Sequence, residues 1–417
     1  MGKKILVMTV GGTPKPLTAA IKQYKPDFIV FICSHDSHDE KPSPTSSSFN
    51  VDGNDPEKNI RTLSNYKGEY RRFDVKNPDD FPTVYQATSK ALQFAREQAE
   101  PGDEILADYT GGTKTMSAVL TILLFVLDLE ITPSLTVSRR KDTQKATGAI
   151  IIARPLDVDL PRSDFLNRTV DDLLEKRLYH PACALLENLI EKFRNNEVRD
   201  RIIIRLEKCR AFARWDAFEY KAAHEAIQDH YQDFEKQATY LRKMINKEKN
   251  TGYEPVFDLV ANAERQAENG NYDNAVSRLY RAVELFAQTR LKKGYEIDTA
   301  HLENHLNQIQ DADLRESLTK KKDSKGIISV GLNEAYKILS RGFKDDPLGR
   351  FYEKKKDPFR DNLRYRNSSK LAHGDQPVSE ADWLKFLDFF KDGFINPGCE
   401  QLGLHPEYPD LPRSIPL

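Results

Sequence analysis

The chain has 417 residues, too many for one compact core, so two or three domains are expected. Hydrophobic residues make up 39% and charged residues 30%, and the formal net charge is −1. Overall charge therefore gives no argument for nucleic acid, and any such site has to be a local basic patch. The four cysteines (Cys33, Cys183, Cys209 and Cys399) are scattered and form no Cys-x-x-Cys pair, which argues against a disulfide framework or a zinc site and for a reducing cytoplasm.

The N-terminus enters a strand at residues 5–10 without the apolar run and small-residue cleavage site of a signal peptide. Residues 5–10 and 27–33 are almost continuously apolar, as parallel strands covered on both faces are. A short helix is expected at 16–24 between them. Residues 38–55 are rich in Ser, Pro and Asp and predict a mobile surface loop. A more polar strand follows at 70–75, then a helix over 81–98 stopped by Pro101-Gly102, and a strand at 104–108. Residues 112–129 predict a buried helix, because their apolar core is shorter than the roughly 20 residues that a bilayer requires. Residues 135–139 and 146–153 predict a terminal β-hairpin. Alternation of strands and helices around an apolar parallel core is the Rossmann-like α/β pattern, expected to occupy residues 1–157.

Almost everything beyond is expected to be helical. An all-α connector is placed at 158–250, with helices over 171–194 and 201–215 and a charged amphipathic stretch over 221–249. A second all-α domain is placed at 251–417, with a hairpin of 254–268 and 272–293 around Gly270, a helix at 380–394 and a proline-rich irregular tail from 397. Residues 267–275 resemble one tetratricopeptide unit, but no second copy follows at the repeat's spacing of about 34 residues. A single helical domain is the better reading.

Two candidate ligand loops lie at carboxyl ends of strands, the edge where open parallel sheets bind ligands. One is Gly11-Gly12-Thr13-Pro14. The other is Asp108-Tyr109-Thr110-Gly111-Gly112-Thr113-Lys114-Thr115. Glycine lets the backbone approach a phosphate, helix-start N–H groups attract anions, and Thr and Lys add donors and positive charge. Neither loop has the spacing of a P-loop or of a dinucleotide fingerprint, so an oxidoreductase is disfavoured. The bland alternative is a pair of tight strand-to-helix turns. The string Asp108-x-Thr-Gly-Gly-Thr-Lys-x-Met116 resembles the signature of CARF domains, the sensors of type III CRISPR systems that bind cyclic oligoadenylates across a dimer axis. By that resemblance the ligand-facing residues are Gly11, Gly12, Thr13, Ser34, Thr110, Gly111, Gly112, Thr113 and Lys114. Thr13 and Lys114 are also candidates for slow cleavage of the activator. Four adenylates are expected ahead of six.

In the C-terminal half, Arg364-Tyr365-Arg366-Asn367 is followed by Leu371-Ala372-His373-Gly374. The Arg366-to-His373 interval is about two helical turns, which predicts one shared face. A histidine deprotonates a ribose 2′-OH or protonates a leaving 5′-oxygen near neutral pH, an arginine holds the charged phosphorane, and Asn367 orients either partner. No metal or other cofactor is required. An Arg and a His seven apart are, by themselves, more often a solvated helix end. The neighbourhood is basic, however, with eight Lys or Arg against three Asp or Glu from Arg350 to Lys370, which suits a phosphate backbone.

This string resembles the catalytic motif of HEPN ribonucleases in the form seen in the Csm/Csx CRISPR ribonucleases, and residues 275–284 resemble an early helix of that domain. A CARF sensor followed by a HEPN nuclease in one chain is the Csm/Csx arrangement. The resemblance implies a cytoplasmic homodimer with a composite site, activated by cyclic oligoadenylate and cutting single-stranded RNA, with Arg366, Asn367 and His373 catalytic. Arg364 stays available as the alternative arginine. Two other readings are a CARF-linked metal nuclease, for which Glu353-Lys354-Lys355 has the spacing but a helical context, and a non-catalytic nucleotide-sensing regulator. Trp215 and Trp383 are expected to pack.

Overall fold

The structure, a computed structural model, describes residues 2–35, 46–126, 131–138, 151–367 and 375–416. It divides into two compact units, Met1–Thr169 with Asn188–Arg201, and Val170–Glu187 with Ile202–Leu417.

The first unit is built on β1 (Lys4–Val10), α1 (Pro14–Tyr24), β2 (Phe28–Ser34), α2 (Phe49–Asp52), α3 (Ile60–Ser64), β3 (Glu69–Val75), α4 (Phe81–Glu97), β4 (Glu104–Asp108), α5 (Lys114–Val126), β5 (Thr132–Ser138) and β6 (Ile151–Pro155). The sheet order is β3-β2-β1-β4-β5-β6. Strands β1 to β5 pair in parallel, and β6 is antiparallel to β5. Every residue of β2 is buried, as is β1 from Ile5 onward, in keeping with their nearly continuous apolar runs. One face packs Ile5, Val7, Val30 and Ile32 against Val84 and Leu92 of α4 and Met116, Leu120 and Leu124 of α5. The other packs Leu6, Met8, Ile29 and Phe31 against Leu17 and Ile21 of α1 and Ile60 of α3. The more polar β3 is the sheet's edge, where alternating exposure is tolerated.

The expected strands are present with shifted bounds. The hairpin pairs Thr132–Ser138 with Ile151–Pro155, and the residues between its strands lie outside the described residues. The loop expected over 38–55 is corrected in its described part. Ser46, Ser47 and Ser48 are buried, and α2 follows at once. Ser47 pairs with Ser34, and Asn50 donates to the Gly11 carbonyl at 2.8 Å, so polar side chains are consumed by the sheet edge instead of facing water.

The helical part contains α6 (Asp159–Glu175), α7 (Tyr179–Ile190), α8 (Asn196–Asp216), α9 (Tyr220–Ile227), α10 (Glu235–Met244), α11 (Glu254–Glu268), α12 (Tyr272–Tyr295), α13 (Ala312–Thr319), α14 (Leu332–Lys337), α15 (Pro347–Asn367), α16 (Glu380–Leu387) and α17 (Asn396–Gln401). Two expectations need correction. The helix read over 171–194 is two, broken where Arg177 adopts a left-handed φ of 56°. The amphipathic run over 221–249 is also two helices, joined by a tighter 3-10 segment at Gln228–Asp233. Charge patterning registered the helical period in both, and tertiary contacts imposed the breaks.

The Arg177 break is held by the tail. Arg177 donates to the Leu411 carbonyl at 3.0 Å, to Glu268 at 2.7 Å and to Asp410 at 2.5 Å. The Tyr179 hydroxyl donates to the Pro412 carbonyl at 2.6 Å, and Arg205 to that of Ile415 at 3.1 Å. The proline-rich tail is therefore a strap, held down by its own buried Leu411 and Ile415. Arg177→Ala is expected to cost about 2 kcal/mol, because a carbonyl and two carboxylates lose a charged donor. Urea unfolding measures this, and an unchanged midpoint would mean that the strap is not clamped.

The C-terminal core is aromatic. Tyr336, Phe359, Phe386, Phe390 and Phe394 are fully buried, and the Tyr336 hydroxyl donates to the Val283 carbonyl of α12 at 2.9 Å. The helix expected over 380–394 continues from α16 through wider π-helical turns at Asp388–Ile395, keeping Phe390 and Phe394 inward. Trp215 and Trp383 are buried, as are all four cysteines.

Candidate functional site

The chain runs β1 to β2 to β3 on one side of β1 and then returns to place β4 on the other side. The crevice of a doubly wound sheet lies where that order reverses. Both glycine loops stand there, one after β1 and one after β4. They touch: a Cβ on Gly11 would lie 2.7 Å from the Gly112 nitrogen, and a Cβ on Gly111 would lie 2.2 Å from the Thr9 carbonyl oxygen. Gly112 has a φ of +85°, a conformation that glycine adopts without strain. The Thr9 hydroxyl donates to the Gly111 carbonyl at 2.6 Å, and Ser117 donates to the same oxygen at 3.0 Å.

The predicted residues divide by what their side chains already do. Thr13 is exposed at the start of α1 and makes no capping bond. Lys114 is exposed in the first turn of α5. Thr110 is half-buried, and its hydroxyl accepts from the Thr136 amide at 2.7 Å. Thr113 caps α5, accepting from the Met116 amide at 3.3 Å and donating to the Pro78 carbonyl at 2.8 Å. Ser34 is buried and exchanges hydrogen bonds with Ser47 at 2.7–3.2 Å. Thr13 and Lys114 are thus the predicted side chains most exposed, while Thr110 and Thr113 shape the second loop and Ser34 is tied to Ser47. Sequence reasoning missed Ser47 and Asn50, whose serine-rich context reads as solvent loop.

Asp108 anchors the second loop. It is fully buried and accepts from the Thr110 amide at 3.0 Å, the Thr136 hydroxyl at 2.8 Å and the Ser134 hydroxyl at 3.2 Å. Burial pushes its carboxyl up, against the pull of those donors. An acid whose folded pKa is raised holds its proton more tightly when folded. Its contribution to stability is therefore present at low pH and is lost as pH rises from the unfolded value of about 3.9 through the raised folded one. Asp108→Asn does not ionise, so it is expected to gain stability relative to the parent between about pH 4 and pH 7. Thermal melts at both pH values check this, and the opposite trend would show that the donors outweigh burial.

A cavity of about 400 Å³, lined by Thr132, Pro133, Asp157, Lys192 and Arg194 among others, lies at the start of β5, the edge of the sheet opposite to these loops. Its lining includes no residue of either glycine loop.

In the C-terminal domain, α15 is fixed at both ends to α12. At its start Asp346 caps the helix, accepting from the Gly349 amide at 2.7 Å, and receives Arg290 at 2.7 Å and the Tyr295 hydroxyl at 3.0 Å. At its end the Arg366 guanidinium carbon lies 4.6 Å from the centre of the Tyr280 ring, and Arg366 Nη1 donates to Asn367 Oδ1 at 3.3 Å. Past α15, the Val378 amide donates to Asp273 in the first turn of α12 at 3.1 Å. Both described flanks of the motif therefore rest on α12. His373 lies outside the described residues, and with it the expectation that it shares a helical face with Arg366. Arg364 is exposed, with its guanidinium 5.4 Å from its neighbour Tyr365. Tyr280 is the residue that sequence reasoning missed.

Among the described residues, Lys354, Lys355, Arg360, Arg364 and Arg366 of α15 form no ion pair with a carboxylate, and basic residues outnumber Glu353, Asp357 and Asp361, so the helix carries a net positive charge. Glu353, Lys354 and Lys355 lie within α15 and not on strands. Among the described residues no group of three His, Cys, Asp or Glu is arranged to hold a metal, and no helix is long and apolar enough to cross a membrane.

Residues 244–394 match the family described as the Csm6 HEPN domain. Among solved structures, Csm6 from Enterococcus italicus bound to cyclic hexa-2′-fluoro-hexa-dAMP aligns with a TM-score of 0.56 at 13% identity, covering 96% of this chain and 98% of that one. Can2 from Sulfobacillus thermosulfidooxidans in complex with cyclic tetra-adenylate aligns with a TM-score of 0.24 at 11% identity, covering 50% and 66%. No curated protein matches the chain by sequence.

Proposed function

We propose, from a chain that carries a Csm6-type HEPN domain over residues 244–394 and shares the Csm6 fold, that this protein is an endoribonuclease switched on by a cyclic oligoadenylate in CRISPR antiviral defence. The observation that carries this reading is Arg366, presented at the end of α15 with no carboxylate partner among the described residues and followed by Asn367. A guanidinium in that state is free to bind a phosphate through its N–H edge.

In the proposed reaction His373 takes the proton from a ribose 2′-OH. The 2′-oxygen attacks the adjacent phosphorus, the P–O5′ bond breaks, and a protonated His373 of the composite site gives a proton to the leaving 5′-oxygen. The products are a 2′,3′-cyclic phosphate and a 5′-hydroxyl. Arg366 stabilises the added charge of the phosphorane, and Asn367 orients the phosphate or the imidazole. The substrate is single-stranded RNA, and no metal takes part. Two protomers each supply one Arg366 and one His373, so the active species is a homodimer, acting in the cytoplasm.

Activation begins at the loops Gly11–Thr13 and Thr110–Lys114. A cyclic oligoadenylate lies across them in the dimer, with Thr13 and Lys114 as its side-chain donors, and binding shifts the population toward a competent nuclease. Cyclic tetra-adenylate is the favoured ring and cyclic hexa-adenylate the runner-up. The deciding experiment follows a labelled single-stranded RNA in EDTA, with and without each ring, for wild type and His373→Ala. Cutting that needs a ring, tolerates EDTA and vanishes in the variant supports the reading. No cutting with any ring points to a non-catalytic regulator, and cutting only with metal points to a metal nuclease.

A further inference from the structure

Arg366 serves a phosphate only if its guanidinium is held with the nitrogen edge outward. Nothing on its own helix does this, because its one polar contact within α15 is the 3.3 Å bond to the neighbouring Asn367. The support comes from α12. Tyr280 is half-buried there, with its ring 4.6 Å from the guanidinium carbon. Its helix is tied to the other end of α15 through Arg290, Tyr295 and Asp346, so the ring sits on a fixed frame. A phenol is neutral near pH 7 in any case, and burial pushes this one further up.

The two ways of holding an arginine differ in what they leave available. A carboxylate occupies the N–H edge, the same edge that a phosphate needs. An aromatic ring takes the guanidinium's face and leaves the edge donors open. The acids around Tyr280 are committed elsewhere: Glu284 to Arg281 at 2.5 Å, and Glu334 to Lys321. The neighbourhood is thus arranged so that Arg366 is steadied without being neutralised.

We infer that Tyr280 is a positioning residue for Arg366, its ring setting the guanidinium plane so that the N–H edge meets the RNA phosphate. The inference rests on the ribonuclease reading above.

The test uses the full-length protein and a labelled single-stranded RNA, with whichever cyclic adenylate activates it. Tyr280→Leu is expected to lower kcat about tenfold with KM within about twofold, whereas Tyr280→Phe keeps kcat within about threefold because it keeps the ring. In the Arg366→Ala background, Tyr280→Leu should add almost nothing, since both changes remove one device. Wild-type kcat in Tyr280→Leu overturns the inference, and so does a Tyr280→Phe variant as slow as Tyr280→Leu, which would assign the role to the hydroxyl. If the wild type cuts no RNA at all, the ribonuclease reading has failed, and the stacking is then read directly. The Arg366 Nε–Hε resonance should carry a ring-current shift that survives in Tyr280→Phe and disappears in Tyr280→Leu. An unchanged resonance in Tyr280→Leu overturns the inference without reference to activity.

Discussion

Arg366→Ala is expected to lower activator-stimulated RNA cleavage by about 10³-fold, nearly all of it in kcat, because removing a preformed donor to a developing oxyanion costs 10²–10³-fold or more. His373→Ala should cost a similar roughly 10²–10⁴-fold through loss of proton transfer. The Arg366 change does not touch the core. Arg366 lies at the end of α15, outside the aromatic cluster of Phe359, Phe390 and Phe394, so melting temperature and activator binding should stay at wild-type values. Arg364 is the internal control. It is exposed, and its guanidinium lies against its neighbour Tyr365 instead of α12. Arg364→Ala should leave kcat within about threefold and act on KM, more strongly at low salt, as a screened phosphate contact does. Steady-state kinetics of the variants decide the matter. If Arg364→Ala proves the inactive one, the roles of the two arginines are exchanged.

The second large effect is expected in the two glycine loops, where the ligand is proposed to bind. In Gly111→Ala the new Cβ would stand 2.2 Å from the Thr9 carbonyl oxygen and 3.1 Å from the Gly11 nitrogen. Both are backbone atoms, so neither can rotate away, and the loops must part. Overpacking of this kind costs about 3 kcal/mol, and the expected result is a lower melting temperature together with at least a ~100-fold loss of cyclic oligoadenylate affinity once both loops are displaced. Lys114→Ala separates shape from charge. Lys114 is exposed, so its loss should leave the melting temperature unchanged yet weaken binding by about tenfold, with a reduced salt dependence. Gly12→Ala completes the set. No atom lies within 4 Å of its Cβ, so the fold should tolerate it. Calorimetric titration with cyclic tetra- and hexa-adenylate measures all three. If Lys114→Ala binds as tightly as wild type, the anion lies elsewhere on the loop, at the backbone amides of Gly112 and Thr113.

Much of the α/β region is legible in one dimension because burial on both faces leaves a simple trace. The runs in β1 and β2 contain almost nothing that tolerates water, and the polar β3 announces an edge. Gly11, Gly111 and Gly112 were legible for a related reason, since a close backbone approach or a positive φ excludes a Cβ there. Ser34, Ser47 and Asn50 were not. A serine that pairs with another serine across the sheet edge has the same composition as one that faces solvent. The break at Arg177 was equally hidden, because its cause lies more than 230 positions away, in the carbonyl of Leu411.

The C-terminal site repeats the division. Residue type and spacing are local properties, so the chemistry on offer, an arginine, an asparagine and a histidine in a basic stretch, can be read along the chain. So can the glycine loops that end β1 and β4. Folding in three dimensions is what brings these loops together at the reversal of strand order, buries Asp108 fully, and sets Arg366 and not Arg364 against Tyr280. The physical reason is common to all three. Which groups share a dielectric environment and a few ångströms of space depends on packing between distant segments, and no period or motif within a single segment records that packing.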